Sequence, residues 1–308
     1  MLDIKRDIIL APYTTFRIGG PARFFVEVFS EDGLIEAVRY AKNNKLPFFV
    51  LGGGSNLLVS DKGFDGLVIK IKLNDIEISD NIIKAGAGVL LSKLVRYSAE
   101  KGLSGMEWAI SVPGTVGGAA AINAGCFGGE ISESVDAVRF LNTDSLKVET
   151  YSKEECGFSY RSSVFKDSID DIILSVSLAL KSGDFEEINS KIGEIIEKRV
   201  QQQPQGMSAG SFFKKVSIED EKIISKFEND GGPKFEINKI SAGWIIDQAG
   251  LKGKKIGGAM VSEKHANFII NTGTATAEDV VMLASFVKQQ VRDKFGIQLQ
   301  EEIRYVGF

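Results

Sequence analysis

The sequence predicts an α+β protein built from more than one domain. The chain has 308 residues, which corresponds to about two domains at the common size of roughly 150 residues each. Short runs of alternating apolar residues, typical of strands, are interspersed with stretches in which apolar residues recur at helical spacing. Glycine is unusually frequent, with 33 residues, and many of these glycines lie in clusters between the predicted elements.

The first 71 residues predict a small α/β subdomain. A run of alternating apolar residues at 22–29 is typical of a strand, and Ser30 can cap the amphipathic helix that follows. A second strand leads into a glycine run at 52–54, and a third strand covers 66–71. In such a βαββ arrangement the second strand brings its glycine loop to an edge of the sheet.

Residues 72–202 predict a second subdomain in which short strands dominate. The predicted strands are DIEIS at 75–79, NIIKAGAG at 81–88, VDAVRFLN at 135–142, LKVETYS at 146–152 and DIILSVSLAL at 171–180. One amphipathic helix is predicted at 90–101, ending at Gly102, and another at 184–202.

The polar stretch QQQPQGMSAG is typical of a linker and predicts that a last domain covers 203–308. Helical spacing predicts helices in this domain at 241–249 and 277–295. Strands are predicted at 257–262 and 267–271, together with a closing strand near 298–306 that could return to the first subdomain.

The charge balance excludes the binding of polyanions through bulk charge alone. Lys and Arg number 37 against 41 Asp and Glu, a formal net charge of −4, so any phosphate must be bound locally. Charges interrupt every apolar stretch at the start of the chain, and no run of roughly eighteen apolar residues occurs anywhere. We therefore expect a cytoplasmic protein that binds neither nucleic acid nor a membrane.

Histidine and cysteine content limits the chemistry. The single histidine, His265, excludes a histidine-based metal site and a Ser-His-Asp triad. Cys126 and Cys156 form no CxxC pair, which excludes a disulfide framework or a zinc ribbon. We therefore predict no metal site and expect the chemistry to come from other groups or from a cofactor.

A first glycine loop follows the second predicted strand, in the segment VLGGGSNLL. Backbone without side chains lets successive N–H groups approach a diphosphate closely. The segment is not a GxGxxG motif, because Leu57 stands where the last glycine would be, and the chain contains no GxxxxGK[ST] motif. An anion-binding loop and an ordinary glycine-rich hairpin both remain compatible with this pattern.

A second small-residue segment, SVPGTVGGAAAINAG, follows the predicted helix at 90–101. Its composition allows the backbone to lie flat against a planar ligand, and a tightly packed helix start gives the same pattern. Taken with the first loop, it supplies the two bare backbone surfaces that a dinucleotide with a flat ring system requires. The combination favours a dinucleotide cofactor.

Five further residues are candidates whose spacing alone does not separate a functional role from a structural one. Arg161, beside Tyr160, offers a planar fork for a carboxylate or a phosphate, or else forms a surface ion pair. Ser211 precedes two aromatic residues that could bury it at a site, or else it is an ordinary serine in a turn. Glu302 lies on an apparent strand, where its carboxylate either serves a site or is simply solvated. His265 is otherwise a structural histidine whose hydrogen bonds are satisfied.

Seven segments, read in order, resemble the UDP-N-acetylenolpyruvoylglucosamine reductases, a family of flavoenzymes often called MurB. The segments are TTFRIGGPARFF, LGGGSNLL, PGTVGGAAAINAG, FSYRSSVFK, AGSFFKK, AGWIIDQAGLKGKKIGGAMVSEKHANFIIN and EEIRYVG. They cover nearly the whole chain. The resemblance implies a PCMH-type FAD-binding fold, as in vanillyl-alcohol oxidase, made of two α/β subdomains (1–71 and 72–202). A C-terminal α+β substrate-binding domain (203–308) follows.

The resemblance also implies the reaction. In that family NADPH reduces FAD, and the reduced flavin passes a hydride to the enolpyruvyl double bond of a UDP-sugar, giving UDP-N-acetylmuramate for peptidoglycan synthesis. The residues matched to FAD binding are Arg17, Ile18, Gly19, Gly52, Gly53, Gly54, Ser55, Asn56, Pro113, Gly114, Thr115, Gly117, Gly118 and Asn123. Since these segments contain no histidine, we expect FAD to be bound non-covalently.

Three residues match catalytic positions of the family. Arg161 and Glu302 match the pair that stabilises the enolic intermediate, and Ser211 matches the proton donor to the enol carbon. Tyr160 and His265 match positions of the substrate pocket.

The chain departs from the family pattern near the linker. Gln202 stands where the family usually has a lysine that helps to hold the substrate phosphate, and Met207 replaces the usual proline. Lys214, Lys215 and Val216 stand where KNP is usual, and we expect Lys215 to replace the missing charge. The segment at 216–237, for which the sequence indicates no role, precedes SAGWII.

Two alternatives remain. The chain could be a flavin oxidase of the same fold with another substrate, against which SAGSFF and EEIRY argue, or a catalytically silent nucleotide-binding homologue. For the reductase we expect a monomer.

Overall fold

The computed structural model describes residues 2–166, 168, 170–232 and 239–308. Its helices are α1 (Glu31–Asn43), α2 (Leu91–Glu100), α3 (Val116–Ala121), α4 (Phe185–Gln202), α5 (Glu221–Asn229), α6 (Ala242–Gln248) and α7 (Ala277–Phe295). α3 begins inside the second small-residue segment, and α5 lies in the segment at 216–237.

The strands are mostly short and are distributed along the chain. They are β1 (Lys5–Ile9), β2 (Pro21–Val28), β3 (Phe48–Leu51), β4 (Leu57–Val59), β5 (Phe64–Ile71), β6 (Ile76–Ser79), β7 (Ile82–Gly86), β8 (Leu103–Ser104), β9 (Gly125–Cys126), β10 (Gly129–Glu130), β11 (Val135–Asn142), β12 (Lys147–Ser152), β13 (Asp171–Ala179), β14 (Lys181–Ser182), β15 (Val216–Ser217), β16 (Lys239–Ile240), β17 (Lys255–Ile256), β18 (Ala259–Val261), β19 (Ile269–Asn271) and β20 (Arg304–Val306).

The closing strand is shorter than predicted. Periodicity predicts a strand near 298–306, but β20 covers only Arg304–Val306. The strand begins where pairing with β4 begins, since Arg304 is the first residue in register with a partner, Leu57. Residues 300–302 instead pair with the backbone at 212–214, through the bridge between Phe213 and Glu301, so the backbone changes partner before β20 begins.

The chain forms two compact units, and among the described residues the first contains two larger sheets and two pairs of two-residue strands. Unit 1 comprises Ala22–Gly54 and Asp65–Gln201 together with the N-terminal residues up to Ile8. Its four-stranded sheet has the order β1-β2-β5-β3, which places β3 at an edge, as predicted. β3 pairs in parallel with β5. Helix α1 connects β2 to β3, and the Ser30 hydroxyl caps its N-terminus by accepting a hydrogen bond from the Gly33 N–H at 3.1 Å.

The second sheet of unit 1 is antiparallel and has the order β12-β11-β13-β7-β6. These five strands are the ones predicted from residues 75–180. β13 lies at the centre, and its Ile172, Leu174, Val176 and Leu178 are buried. One hydrophobic core joins this sheet with α1 and α2.

Unit 2 contains the last third of the chain and two short earlier segments. It comprises Ile9–Pro21, Ser55–Phe64 and Gln202–Phe308. The division at Gln202 lies next to the predicted start of the last domain, whereas the predicted split of the first 202 residues into two subdomains stays a prediction. β20 pairs in parallel with β4, so the closing strand returns to a segment from the first 71 residues.

The core of unit 2 gathers side chains from all three of its segments. Phe16 and Leu58 are fully buried and pack with Phe212, Ile246 and Val287. The sheet β17-β18-β19 and helix α7 cover this core.

The N-terminus of α7 is capped by two carboxylates and a hydroxyl. The Thr276 hydroxyl accepts from the Asp279 N–H at 3.0 Å, and the Asp279 carboxylate accepts from the Thr276 N–H at 3.0 Å. The Asp61 carboxylate accepts from the N–H groups of Ala277 at 2.9 Å and Glu278 at 3.2 Å. Asp61 therefore ties the segment at 55–64 to the start of the long helix.

In the part of the chain that the structure describes, each helix falls short of the length or the hydropathy needed to cross a membrane.

We expect Asp61→Ala to destabilise the protein, because it leaves two N–H groups of α7 without their acceptor. The expected loss is about 1–2 kcal/mol, measured as a lower urea midpoint by circular dichroism. The control is Asp293→Ala in the last turn of the same helix, where an acidic residue is unfavourable and removal should be neutral or slightly stabilising. Equal midpoints for the two variants would contradict this role of Asp61.

Candidate functional site

The two glycine loops of unit 1 touch each other through bare backbone. A methyl group built on Gly53 would lie 2.6 Å from the Cα of Gly114, and one built on Gly52 would lie 2.8 Å from the Thr115 hydroxyl oxygen. Neither position has room for a side chain. The structure thus brings together Gly52 and Gly53 of the first predicted segment with Gly114 and Thr115 of the second.

Behind this contact the second segment becomes a short helix. The Thr115 hydroxyl accepts from the Gly118 N–H at 3.4 Å and caps α3, which Pro113 and Gly114 precede. A methyl group on Gly117 would lie 2.7 Å from the Cβ of Ala87, so close packing explains this glycine. Helix packing and the loop contact therefore both contribute to the small-residue pattern of this segment.

The paired loops fit a dinucleotide cofactor. The contact with Gly114 explains why Gly53 carries no side chain, and main-chain N–H groups in such a bare loop can bind a diphosphate. Gly54 has a φ of 66°, a left-handed conformation that helps successive N–H groups to turn towards one side.

The first predicted FAD segment lies in unit 2. Ile18 is buried in the core of that unit, so only its backbone can face a ligand. The Arg17 guanidinium donates to the carbonyl of Pro12 at 2.7 Å. A methyl group on Gly19 would lie 2.9 Å from the Cβ of Val59, which packs this segment against β4.

Ser55 and Asn56 begin the middle segment of unit 2. The Asn56 carbonyl accepts from the Arg304 N–H at 2.9 Å, and the Asn56 side chain donates to the Glu302 carbonyl at 3.3 Å. Asn56, which the family resemblance matches to FAD binding, is thus hydrogen-bonded to the backbone of Glu302, which the resemblance matches to catalysis.

Asn123 is fully buried and holds two loops of unit 1 in place. Its side-chain amide donates to the Ser159 carbonyl at 3.0 Å, and its side-chain oxygen accepts from the Ser132 N–H at 3.2 Å. These bonds attach the FSYRSS segment to the end of the second small-residue segment.

Arg161 extends the same attachment. Its guanidinium donates to the Gly125 carbonyl at 2.7 Å and lies 5.4 Å above the ring of Tyr160, whose side chain is 40% exposed. The Lys166 ammonium donates to the Arg161 carbonyl at 2.8 Å. The hydrogen bond to Gly125 therefore holds one edge of the Arg161 guanidinium, which fixes the direction of its remaining N–H groups.

Three of the predicted site residues other than glycine have left-handed backbone. The φ angles are 57° at Arg17, 44° at Asn123 and 56° at Arg161. Such a conformation is costly for residues other than glycine, but it is not confined to the predicted site, since Asp7, Lys45, Asp80, Phe127 and Leu146 also adopt it.

In unit 2, Asn267 fixes the strand-like segment that carries Ser211. Its side-chain oxygen accepts from the Phe213 N–H at 2.9 Å, and its amide donates to the Phe213 carbonyl at 2.9 Å. Its own carbonyl accepts from the Phe212 N–H at 2.7 Å, next to the bridge between Ser211 and Phe268. Sequence reasoning missed Asn267, although a polar residue inside the apolar run HANFII indicates a side chain with buried hydrogen bonds.

Glu302 lies on the other side of the same segment. Its N–H donates to the Phe212 carbonyl at 2.8 Å. Because Ser211 directly precedes Phe212, the structure brings Ser211 and Glu302 onto neighbouring stretches of backbone. Both side chains are half-buried.

His265 is held as a neutral imidazole. Its Nδ1 accepts from the Asn267 N–H at 3.2 Å, which leaves Nε2 as the protonated nitrogen. Its ring packs edge-on against Phe268 at 4.9 Å. Burial lowers the pKa of His265 below its usual value. The ring therefore supports Asn267 and can offer a ligand an N–H donor.

Lys215 is exposed in unit 2, directly before β15, whereas its neighbour Lys214 is half-buried and its N–H donates to the Gln300 carbonyl at 2.8 Å. Arg161 and Tyr160 belong to unit 1, while Ser211, Glu302 and His265 belong to unit 2. That all five act on one substrate stays a prediction.

Two family models match the chain. A model of the FAD binding domain matches residues 22–150. A model of the C-terminal domain of UDP-N-acetylenolpyruvoylglucosamine reductase matches residues 201–306.

Relatives and a solved structure match along nearly the whole length. The chain is 38% identical to UDP-N-acetylenolpyruvoylglucosamine reductase from Alkaliphilus oremlandii, over 99% of this chain and 95% of the relative. It is 39% identical to the reductase from Caldanaerobacter subterraneus subsp. tengcongensis, over 96% of this chain and 91% of the relative. The crystal structure of the Thermus caldophilus reductase (MurB) matches with a TM-score of 0.80 at 34% identity, over 99% of this chain and 100% of that chain. These matches confirm the predicted α+β class and the predicted FAD-binding fold.

We expect Gly53→Ala to weaken FAD binding by at least about tenfold, because the new methyl group forces the two loops apart. The dissociation constant is measured from the quenching of flavin fluorescence. The control is Gly193→Ala on the exposed face of α4, where no heavy atom outside the helix and among the described residues lies within 4 Å. That variant should bind FAD normally and gain about 0.5–1 kcal/mol of stability. Normal FAD affinity in Gly53→Ala would remove the first loop from the cofactor site.

Proposed function

The chain belongs to the UDP-N-acetylenolpyruvoylglucosamine reductase family, and from this premise we propose the reaction and the residues that perform it. The protein is an FAD-dependent oxidoreductase that reduces UDP-N-acetylglucosamine enolpyruvate to UDP-N-acetylmuramate with NADPH, a step of peptidoglycan synthesis. The observation that carries this proposal is that reductase relatives match across both units, including the C-terminal domain at 201–306.

FAD, when bound, takes up a hydride from NADPH and delivers it to the substrate's double bond. The residues of this chain that would hold it are the paired loops at Gly52–Asn56 and Pro113–Gly118, together with Arg17–Gly19 and Asn123. The loops bind through main-chain N–H groups, which explains why small residues stand there.

Arg161 and Glu302 would stabilise charge on the substrate. When a hydride adds to the terminal alkene carbon, the displaced electron pair moves onto the adjoining carboxylate and forms an enolate. A guanidinium beside that carboxylate interacts more strongly as the charge grows, so it lowers the barrier rather than only tightening binding. Glu302 would either orient Arg161 or donate a hydrogen bond to the enolate in its protonated form.

Ser211 would supply the proton that completes the reduction. The carbon next to the carboxylate must receive a proton as the enolate collapses, and the Ser211 hydroxyl is the proposed donor. The Asn267 clamp on Phe213 supports this role, because it fixes the backbone two residues from Ser211.

Tyr160, His265 and Lys215 are the proposed contacts to the UDP-sugar. His265 can donate through Nε2, and the exposed ammonium of Lys215 would compensate for Gln202, where the family pattern has a lysine. The monomeric state and the cytoplasmic location stay predictions. No observation favours the oxidase or the silent homologue.

We expect Ser211→Ala to leave the reduction of FAD by NADPH at its normal rate and to slow reoxidation by the UDP-sugar. The loss should be about 10²- to 10⁴-fold, the usual contribution of a general acid. Stopped-flow absorbance follows the two half-reactions separately. Ser217→Ala, at an exposed position of β15, should leave both unchanged. Two normal half-reactions in Ser211→Ala would remove Ser211 from the chemistry.

We expect Lys215→Ala to raise the KM for the UDP-sugar several-fold while kcat and the KM for NADPH change little. A charge that holds a remote phosphate contributes binding energy in the ground state and the transition state alike. Steady-state kinetics measures this, with the exposed Lys222→Ala of α5 as the control. An unchanged KM for the UDP-sugar would show that another group compensates for Gln202.

A further inference from the structure

Lys70 contacts the first glycine loop but lies outside the seven segments on which the family resemblance was based. It sits near the end of β5, in register with Leu51, the last residue of the neighbouring strand β3. Its ammonium donates a hydrogen bond to the carbonyl of Gly52, the first residue after β3. A half-buried lysine side chain thus reaches the residue at which the strand becomes the loop.

This hydrogen bond fixes more than one carbonyl. In a trans peptide the C=O of one residue and the N–H of the next point in opposite directions. Holding the Gly52 carbonyl towards Lys70 therefore turns the Gly53 N–H away from it. Gly53 is also the residue whose backbone abuts Gly114, so the loop is fixed from both sides.

The surroundings of Lys70 make its charge sensitive to pH. The pKa of Lys70 is lowered to about 8, first by burial and then by the nearby Lys72, while Glu27 on β2 opposes the shift. Lys72 and Glu27 form an ion pair at 3.6 Å. On the other neighbouring strand, β3 contains only apolar residues, Phe48–Leu51. Among the described residues, the charged groups that shift the pKa of Lys70 are thus Lys72, just beyond β5, and Glu27 on β2.

We propose that Lys70 is a positioning residue for the cofactor. Its ammonium holds the first glycine loop in the conformation that binds the diphosphate and adds positive charge there, so that FAD affinity falls in mildly alkaline solution. The inference rests on the proposed assignment of Gly52–Asn56 to FAD.

The direction of the pH effect follows from linkage. A bound diphosphate favours the charged form of a nearby lysine, so the pKa of Lys70 is higher in the complex than in the free protein. Affinity is therefore constant below the pKa of the free protein, near 8, and falls above it. A neutral amine is a weaker hydrogen-bond donor than an ammonium, which acts in the same direction.

The test measures the dissociation constant of FAD by fluorescence quenching from pH 6.5 to 9.5 at constant ionic strength, using the full chain after removal of flavin. The wild type should bind with constant affinity at low pH and lose affinity above pH about 8. Lys70→Met should bind about tenfold more weakly at pH 7 and lose the pH dependence. Lys70→Arg keeps its charge across this range, so its profile should be flat and it also controls for ionisation of the flavin.

Two further variants keep Lys70 and move its pKa. Lys72→Met removes a neighbouring positive charge and releases Glu27, so the pH at which affinity falls should rise. Glu27→Gln should lower it. Lys84→Met, which removes an exposed lysine on the other sheet, should leave the profile unchanged.

The outcomes separate this inference from the assignment on which it rests. A flat wild-type profile, or normal FAD affinity in Lys70→Met at pH 7, overturns the role of Lys70 while FAD binding stands. A wild type that binds no FAD at any pH overturns the proposed function together with this inference.

Discussion

The close approach of Gly53 to Gly114 is the contact on which the rest of unit 1 depends. Because the two loops meet through bare main chain, Gly53 cannot carry a side chain there, and each loop limits the position of the other. Thr115 follows directly and caps α3, so the loop contact also sets where that helix begins. α3 leads to Asn123, whose amide holds the segment before Arg161. A continuous series of short contacts therefore connects the two glycine loops to the Arg161 guanidinium.

Unit 2 positions its candidate residues through backbone rather than through side-chain pairs. Asn267 pairs with both polar groups of the Phe213 backbone, and the Glu302 N–H bonds to Phe212 from the other side. The segment carrying Ser211 is thereby held between two neighbours, although no regular sheet forms around it. The backbone next to Ser211 is therefore fixed while the Ser211 side chain stays half-buried.

Three of the predicted site residues other than glycine have left-handed backbone, which raises the local conformational free energy. Arg17, Asn123 and Arg161 each adopt a conformation that is unfavourable by about 1–2 kcal/mol for a residue with a Cβ. Hydrogen bonds fix two of them in place, through the buried amide of Asn123 and through the guanidinium of Arg161. Five described residues outside the predicted site, Asp7, Lys45, Asp80, Phe127 and Leu146, have the same kind of backbone, so the conformation by itself does not mark a ligand site.

The sequence by itself determined the local elements and the family. Periodicity located the five strands of the antiparallel sheet, Ser30 marked the start of α1, and the ordered small-residue segments predicted a dinucleotide cofactor. Only the tertiary structure decided that Gly53 meets Gly114, that Asn267 clamps Phe213 and that Lys70 bonds to Gly52. Each of these contacts joins residues from different segments, and their geometry depends on how strands and helices pack. Local spacing reports which face of an element is apolar, but it does not report which distant backbone atom will lie against that face.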